Sequence, residues 1–423
     1  MLPITDDGFS ARLPAASVPH YVILGAGCAG LSLCYYLLEA GVQSSITIID
    51  RRTDFEDDRT WCFWDTHRTP FTPLAANRWE TVAVRHGETE SRISTPETPY
   101  LRLRGADFYA AALARIRAAS NVALRLGVGV TGAYHETETG VCVPTSAGAV
   151  RGTMLFDALA LSGASGGTRP VPEPGSLVQQ FWGQTVRTVA DTFDPGAVTL
   201  MDFRPAPGVS DAIAFMYVLP FSAREALVES TLLHLPGAGR IAPGTSRAVV
   251  LSPAENACHG KRAVAAYLRD RYGVHDYETG REESGCIAMT TGAMPVRTGR
   301  RTFAVGLAGG AARPSSGYAF LRTQRQCRAL ANAVASGDFT QAERPVSPPL
   351  IGLLDRVFLR AMTRRPDAVP GYFTGLFART RPASLVRLLS DTASPGDIAS
   401  VVRSLPVGDF LRAALSLRKR DAP

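Results

Sequence analysis

The chain has 423 residues, 45% of them hydrophobic and 20% charged, which suits a folded protein of two or more units rather than a disordered or fibrous one. Its formal charge is +7, carried almost wholly by Arg, yet no Lys/Arg block interleaved with aromatics occurs, so nothing argues for a nucleic-acid partner. The 7 cysteines form no C-x-x-C pair, which argues against a disulfide framework or a metal site, and no apolar run approaches the roughly 18 residues of a membrane span.

Residues 1–17 carry early acids and no apolar stretch; they are expected to be a tail rather than a signal peptide, in a cytoplasmic protein. YVILGAG at 21–27 predicts a strand, followed by an apolar helix to about residue 40 and a second strand, SITIID, at 45–50. Strand, helix and strand at this spacing open a parallel α/β sheet. Within that unit GAGCAG sets Gly25, Gly27 and Gly30 in G-x-G-x-x-G spacing, and Asp50 ends the second strand. Gly25 permits the tight turn, Gly27 leaves room for a pyrophosphate, Gly30 lets helix pack on strand, and Asp50 is placed for a ribose hydroxyl. The expected dinucleotide site therefore includes Gly25, Ala26, Gly27, Cys28, Ala29, Gly30, Asp50 and Arg51, with the helix N-terminus facing the phosphates.

Further along, the pattern predicts a helix at 105–119, a strand around 121–130 and two alternating segments near 139–161. SGASGGTRPVPEPGS at 162–176 is a turn-rich boundary, and 180–235 reads as short strands of a second sheet. That region contains FMYVLPFSAREALVEST (215–231), where Glu229 lies in an apolar run. On local pattern alone, Glu229 belongs on the solvent face of a half-buried strand. A strand-then-glycine pattern returns at 303–310, with Gly306, Gly309 and Gly310, before a helix at 320–335. Two distant glycine clusters holding one long cofactor are the habit of FAD-binding proteins. No Asp follows in the second cluster, so hydroxylase chemistry is not signalled. After PVSPP at 345–349, residues 350–423 are helical and basic.

Several stretches together resemble one family, the bacterial flavoprotein lycopene cyclases. They are GAGCAGLSLCYYL, FEDDRTWCFWD (55–65), FMYVLPFSAREALVEST, ESGCIAM (283–289), GLAGGAARPSSGYAFLRTQ and the tail LIGLLDRVFLRAMTRRPDAVPGYFTGLFART. RTWCFW and RPSSGYAF are specific, whereas the glycine loop is not. The resemblance implies a mixed α/β fold of the aromatic-hydroxylase type: a Rossmann-like FAD-binding domain, an inserted β-sheet substrate domain and C-terminal helices. The corresponding division is 18–170 and 285–345 for the flavin domain, 171–284 mainly for the substrate domain, and 346–423 for the helices.

It also implies noncovalent FAD, active when reduced with NAD(P)H as electron source, and a redox-neutral cyclisation of the linear end groups of lycopene. Glu229 matches the family's essential acid, and Glu283, Gly285, Ile287 and Met289 match its E-x-G-x-I-P-M motif, with Ala288 in place of Pro. FDALALSG at 156–163 departs from the usual Asp-x-Arg-Gly element. Trp61, Phe63, Trp64, Tyr217, Phe221 and Tyr318 are candidates to face the substrate, though any one aromatic is more often core. A water-insoluble polyene would come from a bilayer, so peripheral membrane contact through Phe358, Leu359 and Met362 beside Arg360, Arg364 and Arg365 is expected. Two other readings stay open: a flavin-dependent cyclase or reductase of another prenylated product, and a carotenoid-binding flavoprotein without turnover.

Overall fold

The computed structural model describes residues 19–159, 176–206, 208–209, 212–235, 250–292, 294–344 and 346–418. The expected tail at 1–17 and almost all of the turn-rich boundary lie outside these residues. The chain opens with β1 (His20–Leu24), α1 (Cys28–Glu39) and β2 (Ser45–Asp50), close to the sequence-based expectation. Next come β3 (Thr60–Trp64), β4 (Asn77–Trp79), β5 (Thr81–His86), β6 (Thr89–Ser94) and β7 (Tyr100–Arg104). They lead into α2 (Gly105–Arg117) and β8 (Val122–Leu126). The segment near 139–161 holds β10 (Val141–Thr145), β11 (Gly148–Gly152) and β12 (Met154–Asp157), preceded by the short β9 (His135–Glu136). It is three strands rather than two, because a tight turn at Ser146–Ala147 folds the middle of it back on itself.

The remaining strands are β13 (Leu177–Thr188), β14 (Ala197–Phe203), β15 (Ala212–Pro220), β16 (Glu225–His234), β17 (Tyr277–Met289) and β18 (Thr302–Ala304). The helices are α3 (Pro253–Tyr272), α4 (Phe320–Ser336), α5 (Pro349–Arg364), α6 (Val369–Arg379), α7 (Pro382–Leu389), α8 (Pro395–Ser404) and α9 (Val407–Arg418).

Two sheets organise the molecule. The first is all parallel in the order β18-β12-β1-β2-β8, its central strands β1 and β2 buried on both faces as parallel strands require, with β8 the more exposed edge. α1, α2 and α4 cover one face, where Ile23, Ile48, Leu33, Leu37, Phe108 and Leu330 share a core. The small sheet β11-β10-β9 covers the other, with Val141, Val143 and Val150 against Val22, Leu24 and Leu155.

The second sheet has seven strands in the order β17-β13-β16-β15-β14-β5-β6. It draws β5 and β6 from before residue 171 and carries β17 past 284, so its edges do not coincide with the 171–284 division that the resemblance implied. One face packs Trp182, Met216, Val218 and Val228 on Val264, Tyr267 and Leu268 of α3. Gly260 of α3 makes that packing close: a Cβ there would meet the Trp182 ring at 2.5 Å. Burying such large apolar side chains stabilises the fold by about 1.5–3 kcal/mol each. The opposite face turns toward α5 and α6 and toward the glycine loops of the first sheet.

Candidate functional site

A cavity of about 1020 Å³ lies between the two sheets. One end is built from the dinucleotide unit. Gly25 has φ +91°, left-handed backbone that favours glycine, and its N–H bonds Ile49 O at 2.8 Å. Gly30 packs its α-carbon against the Gly25 carbonyl with no room for a Cβ. Gly27 is different: a Cβ there would meet only the Arg52 guanidinium, at 4.0 Å. The protein itself does not need glycine at 27, so the space in front of it fits a ligand that approaches the backbone. α1 has no side-chain cap, leaving its first N–H groups to an incoming anion. These observations fit the pyrophosphate of a dinucleotide such as FAD.

Gly25, Gly27, Cys28, Ala29, Asp50 and Arg51 line the cavity, as does Gly306 from the second glycine cluster. Ala26 and Gly30 sit behind it. The Ala26 N–H binds Asp50 Oδ2 at 2.6 Å, while Asp50 Oδ1 accepts from Arg52 N at 2.8 Å. Burial opposes ionisation of Asp50, but the Arg52 guanidinium and these backbone N–H groups outweigh it and hold the carboxyl below its usual range. Gly309 and Gly310 do not line the cavity, contrary to expectation. They form the turn after β18, where Gln326 clamps Gly306 N at 2.7 Å and Gly309 O at 2.8 Å. Gly310 has φ +74°.

The other end is the inner face of the seven-stranded sheet. Residues paired across neighbouring strands share a face, and one such row runs Glu283, Gly183, Glu229, Tyr217 over β17, β13, β16 and β15. The next row is Gly285, Phe181, Thr231, Phe215, where a Cβ on Gly285 would strike the Phe181 ring at 2.5 Å. Both rows line the cavity except Gly183. Glu229 therefore stands on a central strand facing the cavity between the sheets, not on the solvent face that local pattern suggested. The reason is tertiary: both faces of this sheet are covered.

Glu229 accepts a bond from Thr231 Oγ1 at 2.9 Å. Burial, and next the negative charge of Glu283, push its carboxyl up to about 8, against smaller opposing effects of the Thr231 bond and Arg281. Glu283 is 6% exposed and ion-paired to Arg281 Nη1 at 2.6 Å. The same guanidinium binds Asp57 O at 2.9 Å and Thr60 Oγ1 at 2.6 Å. Asp57 in turn accepts from Ala106 N at the start of α2, so the 57–60 segment pins the edge strand to the first sheet. Asp58 accepts from Tyr109 OH at 2.9 Å, and Arg59 joins it at the cavity wall.

Of the aromatic candidates, Trp61, Tyr217 and Tyr318 line the cavity. Phe63, Trp64 and Phe221 do not. Phe63 stacks on Phe320 at 4.8 Å, Trp64 tilts against Tyr100 at 4.8 Å, and Phe221 lies at the β15–β16 turn under the Arg102 guanidinium at 3.7 Å. Sequence reading missed Tyr100, whose hydroxyl bonds Tyr217 OH at 2.7 Å and Tyr318 OH at 3.1 Å. It missed Cys62, whose thiol burial raises to about 12, and the apolar wall of Phe373, Leu376, Phe377 and Leu389. Arg281 was findable: two residues from Glu283 on one strand, it must share that residue's face. The others carry no local signal.

A neutral carboxyl in an apolar, aromatic-walled cavity can give a proton to a poor base, and the aromatic faces can stabilise a cation. The membrane-facing expectation fails residue by residue, since Leu359 and Met362 are 1% and 0% exposed and Phe358 packs on Phe373 and Phe410. Among the described residues no helix is long and apolar enough to cross a membrane.

The family model described as "Lycopene cyclase protein" matches residues 21–415. No curated protein matches the sequence. Among solved structures, the flavin-dependent brominase Bmp2 is similar at TM-score 0.60 and 16% identity, over 95% of this chain and 100% of that one. An R204Q variant of Klebsiella pneumoniae HpxO complexed with FAD gives 0.61 and 14%, over 92% and 100%. A geranylgeranyl bacteriochlorophyll reductase-like protein from Thermoplasma acidophilum gives 0.57 and 13%, over 95% and 98%. At such identities these likenesses speak for the fold, that of FAD-dependent flavoproteins.

Proposed function

The chain belongs to the lycopene cyclase family, and from that premise we propose that it is an FAD-dependent lycopene β-cyclase, closing the linear end groups of lycopene into β-ionone rings. The observation that carries this reading is the placement of Glu229, a carboxyl whose proton affinity burial raises, in the wall of a mainly apolar cavity whose far end fits a dinucleotide. Glu229 delivers its proton to the terminal alkene, giving a tertiary carbocation; the neighbouring double bond closes the ring; a ring proton then leaves. Trp61, Tyr217 and Phe181 line the cavity, where their rings can stabilise the positive charge, and the apolar wall from α6 excludes water that would trap it. Glu283, tied to Arg281, contributes a fixed negative charge. FAD, held at Gly25, Gly27, Ala29 and Gly306 and reduced with electrons from NAD(P)H, would supply further negative charge beside the cation.

The test is to supply lycopene and reduced FAD to the purified protein in D₂O. The expected product is an isomer of lycopene in which one hydrogen is replaced by deuterium for each ring formed, because one deuteron enters and one proton leaves. A product two hydrogens richer would mark a reductase, one carrying oxygen a monooxygenase, and unchanged bound polyene a carrier.

The cofactor placement has its own test. Gly27→Val should fold, since a side chain at 27 meets only the end of Arg52, but should crowd the pyrophosphate. Purified Gly27→Val is expected to carry little or no flavin absorbance; full retention would move the site elsewhere.

Peripheral membrane contact is part of the same proposal, on different residues from those expected. Val407, Leu411 and Leu415 recur at helical spacing on α9 and are 64%, 56% and 53% exposed, with Leu350 and Leu353 of α5 at 48% and 43%. Residues 346–418 hold ten Arg against five Asp. An apolar stripe on a basic face suits an anionic bilayer. Leu411→Asp/Leu415→Asp should lose flotation with phosphatidylglycerol vesicles more than tenfold, since a buried Leu is worth about 1.5–3 kcal/mol. Unchanged flotation would discard this surface.

A further inference from the structure

We propose that Gly183 is a positioning residue for the proton donor: by presenting no side chain in the middle of the row, it lets Glu229 lean across β13 toward Glu283, so that the two carboxyl groups act as a pair. This rests on the reading of Glu229 as donor.

The geometry is specific. Gly183 is the register partner of Glu229 on one side and of Glu283 on the other. Strands spaced about 4.8 Å apart put the two glutamate α-carbons about 10 Å apart, with only position 183 between them. A Cβ at 183 would lie 3.1 Å from Glu229 Cβ and 3.3 Å from Glu229 Cγ, closer than the usual ~4.5–5.5 Å between paired Cβ atoms. Glu229, together with Leu227 Cδ1 at 3.3 Å, thus occupies the room that a side chain at 183 would take. Backbone conformation gives no other reason for glycine, because Gly183 is not among the residues with positive φ and sits mid-strand, where glycine weakens a sheet.

The groups around Glu229 are few. β17 brings Glu283 and Arg281, β16 Thr231, and β15 Tyr217, whose hydroxyl meets Tyr100 of β7, itself bonded to Tyr318. β3 brings the Cys62 thiol, on which both glutamates act, and β7 brings Arg102. From the far side of position 183 the negative groups are Glu283, the register partner of Gly183, and Asp57, which pairs with Arg281 at 3.5 Å. Gly183→Ala would place a methyl in the lane, turn Glu229 away from Glu283 and weaken their coupling. The donor would then hold its proton less firmly.

The experiment follows two readouts, the pH dependence of cyclisation and the infrared C=O band of the protonated carboxyl that disappears in Glu229→Gln. In Gly183→Ala the flavin should remain bound, kcat should fall about 10–100-fold with KM little changed, since a misplacement near 1 Å costs that much. The midpoint of the band should move to lower pH. Glu283→Gln should move it the same way, and the double variant should go no further than Glu283→Gln alone, because one route is being removed twice. A wild-type midpoint in Gly183→Ala, or shifts that add in the double variant, would overturn the proposal while Glu229 remains the donor. Normal cyclisation by Glu229→Gln would instead overturn the donor reading. Should Gly183→Ala fail to fold, the midpoint in Glu283→Gln still decides: an unmoved band means the two carboxyls are not a pair.

Discussion

Glu229→Gln is expected to bring cyclisation close to zero while FAD stays bound. The substitution keeps the shape and the Thr231 contact but removes the transferable proton. General acid catalysis is commonly worth about 10²–10⁴-fold, and an unactivated alkene is so weak a base that the upper end applies. Glu229→Asp keeps the acid and withdraws it by one methylene, so partial activity should survive. The pH dependence has a fixed sign. A donor works only while protonated, and burial holds Glu229 protonated up to about 8, so the wild-type rate should be steady at neutral pH and fall above that value. An ordinary glutamate would already have lost its proton near 4.3. Product formation by Glu229→Gln and wild type, measured by absorbance of the cyclised carotenoid, checks both points. Undiminished activity in Glu229→Gln would return Glu229 to a structural role and make Glu283 the next acid to test.

The first sheet was legible because its signals are local. YVILGAG and SITIID are short apolar runs bounded by glycines and an acid; β2 coincides with the second, while β1 stops at Leu24, three residues before the end of the first, where the glycine turn begins. The hairpin around Glu229 was legible as β-structure but not in its facing, because burial of both faces erases the alternation that tells inside from outside. Helix α3 went unread although Ser252 and Glu255 form a capping box, Pro253 follows the cap and Gly273 closes the helix at φ +66°. Its polar, Arg-rich face hid the period. Strands between 60 and 104 were missed since some pair with partners more than a hundred residues away, such as β5 with β14. The aromatic candidates divided by the same logic. Trp61 faces the cavity, while Phe63 and Trp64 pack into the cores behind it, and no spacing in the sequence distinguishes them.

Asp391→Ala is expected to destabilise the fold by about 3–5 kcal/mol, the largest stability effect foreseen for a single side chain here, because it leaves buried guanidinium groups without their counter-charge. Asp391 is the non-glycine residue with positive φ among those described, a conformation Asp tolerates better than Ala. Its carboxylate takes Arg322 in a two-point grip at 2.7 and 2.6 Å and also pairs with Arg325. Arg313 beside it holds Asp355 at 3.1 Å and donates to the Leu388 carbonyl. Arg313, Arg322 and Asp355 are 2%, 3% and 1% exposed, so water cannot replace a lost partner. The network joins α4 and the 313–318 loop to α5 and the α7–α8 connection. Leu389 and Ser315 to Tyr318, which it holds, are cavity wall. Burial alone would raise the Asp391 carboxyl, but Arg322, Arg313 and Arg325 outweigh it and hold it below the usual range. The stabilisation is therefore complete above the ordinary Asp value of about 3.9 and is lost only as pH falls through the lower folded value. At neutral pH the deficit of Asp391→Ala should not vary with pH. Asp191, paired to Arg224 with 69% and 61% of their side chains exposed, is the control: Asp191→Ala should cost under about 1 kcal/mol. Denaturant midpoints of the two variants separate a buried network from a surface pair. Equal midpoints would mean that the C-terminal helices are held by their apolar contacts alone, with Phe203, Phe373 and Phe358 carrying the join.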